Sequence, residues 1–96
     1  MSNKRFEDLA LMINDLEENF IEKCAELSET LILGDIAKFA KELKNISQKY
    51  DCENLSSYAD NMLEKLKMMD IVQLNNYLDY FPILVNDIKN IISEEE

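Results

Sequence analysis

Residues 34–70 read GDIAKFAKELKNISQKYDCENLSSYADNMLEKLKMMD, and their reading decides the fold. Ile36, Phe39, Ala40, Leu43, Ile46 and Tyr50 recur at steps of three and four, the period of one helical face. Leu55, Ala59, Met62, Leu63 and Leu66 repeat the pattern after a break at Asp51 or Cys52. Gly34-Asp35 and Asp70 act as punctuation. Glycine tolerates the left-handed turn that closes one helix, and aspartate caps the start of the next. The spacing predicts a helix from Ile36 to Lys49 and another over residues 53–68. A connection this short makes the two antiparallel neighbours.

Outward from this hairpin the same period continues in both directions. Phe6, Leu9, Ile13, Leu16 and Phe20 form a stripe, which Cys24, Leu27 and Leu31 extend after a shift of phase near Phe20. Neither Gly nor Pro interrupts residues 3–33, so the segment is either one bent helix or two helices meeting near 14–20. Downstream, Leu74, Leu78, Phe81, Val85, Ile88 and Ile92 define a last helix over residues 71–92. Pro82 falls inside that stripe. Its missing N–H and its ring should bend or split the helix near 78–82. Ser93-Glu94-Glu95-Glu96 reads as a frayed acidic end, since carboxylates sit badly at a helix C-terminus.

One Gly and one Pro in 96 residues leave little turn chemistry, so a few long elements must account for the chain. The expected fold is all-α: a single domain over 1–96, built as an antiparallel up-down four-helix bundle. The residues expected in its core include Phe6, Phe20, Leu27, Leu31, Phe39, Leu43, Leu63, Leu66, Leu74, Leu78 and Ile88. Net charge is −10, which argues against nucleic acid as a partner. The charge is unevenly spread. Residues 6–35 carry Lys23 against nine acids, whereas residues 36–50 carry Lys38, Lys41, Lys44 and Lys49 against Glu42 alone. A basic island on an acidic chain is an electrostatic feature with an evident use. Two cysteines, Cys24 and Cys52, are too few for a disulfide scaffold, and the N-terminus lacks the apolar core of a signal peptide. The longest uncharged run near the C-terminus is too short to span a bilayer. These features point to a reduced, cytoplasmic domain without membrane insertion.

The central segment resembles the heart of a histidine phosphotransfer (HPt) domain of bacterial two-component signalling. The family pattern runs Gly-Asp, then Ala-His-x-Leu-Lys-Gly, a loop, Leu, Leu-Glu and a closing Asp. This chain supplies Gly34-Asp35, Ala40-Lys41-Glu42-Leu43-Lys44-Asn45, Leu55, Leu63-Glu64 and Asp70 in register. The resemblance covers residues 18–92. It implies a four-helix bundle preceded by a short additional helix, which favours two helices within residues 3–33. It also implies a receiver domain of a response regulator or hybrid kinase as the partner. Lys41 stands where the phosphorylated histidine should be, and the chain contains no His at all.

On a wheel of 100° per residue, Lys41 falls roughly 140–180° from the centre of its helix's apolar stripe, fully outward. Lys38 lies one turn below it, and Lys44 sits on the flank. An imidazole nitrogen that is neutral near pH 7 can attack phosphorus. A lysine side chain ordinarily stays protonated to about pH 10 and offers no lone pair. The expected role is therefore docking without chemistry, through Lys38, Lys41, Lys44, Asn45 and Gln48. By the resemblance Lys44 matches a lysine that neutralises the phosphoryl group in active members. Asn45 departs from the pattern, replacing a small residue that keeps the surface open.

No Gly-rich phosphate loop or metal motif appears, so no enzyme, cofactor or metal site is expected. Glu17-Glu18, Glu22 and Glu26 read as a solvated face. Met12, Met62, Met68 and Met69 read as core or helix-end packing, as do Tyr77, Tyr80 and Phe81. Cys24 lies in a stripe and should be inert, whereas Cys52, near a helix start, should be more exposed and more acidic. The competing reading is a helical adaptor or dimerisation module whose apolar stripes exceed what its own core needs, with a homodimer as one form.

Overall fold

The computed structural model describes residues 4–95, with side chains over residues 7–92. Every regular element among them is helical: α1 (Lys4–Asp15), a π-helical turn (Leu16–Phe20), α2 (Ile21–Thr30), α3 (Leu33–Lys49), α4 (Glu53–Lys67) and α5 (Ile71–Glu95). The elements pack as an elongated bundle of 46 × 20 × 18 Å. Connections of two or three residues reverse the chain each time, so α2, α3, α4 and α5 alternate in direction. Packing runs α3 on α4, α4 on α5, and α5 back on α1 and α2. No helix among the described residues is long and apolar enough to cross a membrane.

Residues 4–30 do not form two separate helices. α1 passes through the π turn into α2 without leaving helical geometry, and the Ile21 N–H reaches back to the Leu16 carbonyl, five residues away. The stripe explains why. Leu16, Phe20 and Cys24 are spaced four and four, and each such step overshoots a full turn by 40° in an α-helix. A turn that is one residue wider absorbs the drift and keeps Leu16, Phe20 and Cys24 all buried. The separate N-terminal helix implied by the resemblance is thus replaced by a continuous rod.

The expected Gly34 helix end is also displaced. α2 closes at Leu31, which takes the left-handed conformation (φ 50°) and donates to Leu27. α3 starts at Leu33, so Gly34 lies within its first turn without a positive φ. Leu31 and Leu33 both pack against the core, and that packing overrides the local preference of glycine. Asp35 makes no capping bond, but its carboxylate lies in the first turn of α3, where the helix dipole favours it. α3 and α4 each end in a Schellman motif. Cys52 N–H reaches Ser47 O and Asp70 N–H reaches Lys65 O, with Asp51 and Met69 at the left-handed position. Asp70 caps α5 as expected, accepting from Gln73 N–H at 3.2 Å.

α5 is not split at Pro82 but runs unbroken to Glu95. Pro82 leaves the carbonyl four residues earlier without its helical donor. That carbonyl belongs to Leu78, and the Cys24 thiol of α2 donates to it at 3.0 Å. The Tyr58 hydroxyl of α4 donates to the neighbouring Tyr77 carbonyl.

The core contains Phe20, Leu27, Phe39, Leu43, Leu74, Leu78 and Ile88, as the periodicity predicts. Phe39 and Phe81 meet edge to face at 5.4 Å. Phe20 flanks them from the π turn and Tyr58 from α4, which links every layer of the bundle. Phe6 lies outside the described side chains. Leu31, Leu63 and Leu66 are only half-buried; on α4 the buried face runs through Leu55, Tyr58, Ala59 and Met62, which leaves Leu63 on its edge. Met68 and Met69 are exposed, since the left-handed turn at Met69 carries both away from the core. Tyr80 is likewise exposed, on the outer face of α5. Cys52 is buried, not exposed, at the foot of the bundle.

Candidate binding face

α3 is fixed in orientation by what lies beneath it. Phe39, Ala40 and Leu43 are completely inaccessible, and Ser47 is buried with its hydroxyl donated to the Lys44 carbonyl at 2.6 Å. With that side fixed, the opposite side of the helix must face solvent. Lys38, Lys41, Asn45 and Gln48 all lie there, exposed and spaced three, four and three residues apart. Four of the five sequence-predicted binding residues therefore share one outward stripe.

Lys44 is the exception. Its ammonium sits 2.8 Å from a carboxylate oxygen of Asp60 and 2.9 Å from the Ser56 hydroxyl, both on α4. It is half-buried and works as a strap between α3 and α4, with its charge compensated. The wheel placed Lys44 correctly on the flank of α3. It could not show Asp60, which lies 16 residues further along, on another helix.

On the other flank Glu42 pairs with Lys23 of α2 at 3.3 Å. Two ion pairs thus border the outward stripe, and both are partly solvated, so each contributes at most about 1 kcal/mol to stability. Their effect on the field matters more. Glu42 and Lys44 cancel against partners, which leaves Lys38 and Lys41 as the cations of the stripe, with Lys49 near its end lying 5.3 Å from the Tyr50 ring. The face is solvated. Among the described residues, no three or more Cys, Asp or Glu side chains converge where they could hold a metal ion.

The Glu17, Glu18, Glu22 and Glu26 ridge is exposed, as a solvated face should be. Glu17 accepts from Lys89 of α5 at 3.3 Å, tying the π turn to the last helix. The chain matches no family model, no curated protein and no solved structure.

Proposed function

We propose that this chain is a non-catalytic, HPt-like docking module whose outward α3 stripe engages the acidic phosphoacceptor pocket of a receiver domain. The observation that carries this reading is Lys41, exposed at the middle of α3 over a rigid aromatic core, with Lys38 one turn away. A cation at that position attracts the carboxylates of such a pocket without accepting a phosphoryl group. The net charge of −10 sharpens the contrast, because the chain as a whole repels an acidic partner while this stripe attracts it. Lys44 supports the stripe through Asp60 and does not meet the partner. Asn45 adds bulk one turn from Lys41, so the partner seats less closely than a glycine there would allow.

The test is association with purified receiver domains, measured by stopped flow at low and physiological salt. Lys38→Glu combined with Lys41→Glu should slow association by roughly an order of magnitude at low salt, and the difference should shrink as salt rises. Lys65→Glu with Lys67→Glu makes the same change of net charge on α4 and should have a much smaller effect. Equal rates for the two double variants would overturn the reading. So would radiolabel passing from a phosphorylated receiver to the chain. The adaptor reading is favoured by a different observation: Ile32, Met68, Met69 and Val72 are exposed at the two turns that share one end of the bundle.

A further inference from the structure

The side of the bundle between the start of α4 and the second half of α5 carries an open groove that the α3 stripe does not reach. Two adjoining cavities of about 370 and 490 Å³ share Asn54, Ile88 and Ile91 as lining. Along the α5 rim, Tyr80, Ile83, Asp87 and Ile91 recur at steps of three and four, and all four are exposed. Ile83 is 54% accessible and Ile91 45%, well beyond what edge packing requires. This row, with Ile83 standing beside the cavities and Asp87 within them, extends for about 16 Å at 1.5 Å per residue, the length of three helical turns. A groove of that length matches a helix with anchors at i, i+3 or i+4, and i+7.

Charge selects among occupants. Glu53 and Asp87 lie in the groove, Asp87 held in place by the Tyr80 hydroxyl at 3.3 Å, and no lining residue is Lys or Arg. A second copy of the chain would bring the same patch to itself in a two-fold contact, setting these carboxylates against their like on two molecules of charge −10. A helix with lysines or arginines beside its apolar anchors instead satisfies both the isoleucines and the carboxylates. We infer that the α4–α5 groove is a docking site for a basic amphipathic helix of a partner protein.

The experiment uses the full chain and a synthetic helical peptide of about 16 residues with leucines at that spacing and lysines elsewhere. A second peptide replaces every lysine by glutamate. Binding is measured by calorimetry and mapped by NMR shifts. The lysine peptide should saturate and shift resonances at the start of α4 and in residues 80–91. Ile83→Ser with Ile91→Ser should weaken it at least tenfold, and both sites are exposed enough for the fold to survive. Met68→Ser with Met69→Ser, at the end of the bundle, should leave binding intact. Equal binding of the two peptides would overturn the inference, as would shifts confined to the acidic α1–α2 surface. Sedimentation provides a further arm: a dimer abolished by the Ile83 and Ile91 changes would assign the groove to a second copy, which also overturns it.

Discussion

Cys24 donates its thiol proton to the Leu78 carbonyl, which Pro82 deprives of its helical donor, and that single contact makes a lone buried cysteine useful. Burial, with a smaller contribution from the charge of Asp79, pushes the thiol up from 9.0 to about 12. Tyr58 moves in the same direction, chiefly through burial and then through the charges of Cys24 and Tyr77. A group raised on folding contributes stability that is whole below its unfolded pKa. That contribution is lost as pH climbs towards the folded value, because the unfolded chain releases a proton the folded chain keeps. Wild type should therefore lose stability relative to Cys24→Ala between about pH 9 and 12, a narrowing gap that denaturant melts at several pH values would record. Core leucines give a second prediction at this scale. Leu43 is fully buried, so Leu43→Ala should cost about 2–5 kcal/mol, whereas half-buried Leu63 should cost about 1–2 kcal/mol in the same urea titration. Their stripes alone do not separate the two residues. Tyr58, three residues after Leu55 and four before Met62, belongs to the inward face of α4 and sets Leu63 at its edge.

α5 shows how an element can tolerate what its sequence forbids. A proline within a helix ordinarily costs about 3 kcal/mol through the lost bond and the ring clash. Here Cys24 and Tyr58, from two other helices, supply donors to the carbonyls around the interruption, and the helix continues. Pro82 itself is exposed, so Pro82→Ala gives up no packing and restores the backbone donor. It should raise stability by roughly 1–3 kcal/mol in chemical denaturation, less than the full penalty because Cys24 already satisfies the carbonyl. At the other end of the chain, four-and-four spacing was legible as a change of phase but not as a π turn. Periodicity reports where apolar residues fall, and the choice between breaking the rod and widening one turn depends on what Leu16 and Phe20 meet across the core.

For the molecule as a whole, charge opposes compactness. Three partly solvated ion pairs, Lys23–Glu42, Lys44–Asp60 and Lys89–Glu17, each contribute at most about 1 kcal/mol, and salt weakens them. The repulsion of a net −10 acts over the entire surface and is screened by the same salt. Repulsion outweighs three weak pairs, so the melting temperature should rise as sodium chloride increases from about 10 to 150 mM. A fall, followed by scanning calorimetry, would mean that the ion pairs dominate. The same imbalance leaves the α3 stripe a distinct basic island and makes self-association through the acidic α4–α5 groove unfavourable.

Composition and period by themselves determined that the chain is helical and that its short connections make α3, α4 and α5 antiparallel. They also determined that Lys38 and Lys41 point outward, because the direction of a side chain follows from 100° per residue once its helix exists. The rest needed the packed molecule. Lys44 became a strap only when Asp60 and Ser56 of α4 came within reach, and Met68 and Met69 became surface only when their turn took a left-handed residue. Cys52 became buried when the foot of the bundle closed around it. Each of these outcomes depends on which helix lies beside which, a relation between residues distant in sequence that no local period encodes.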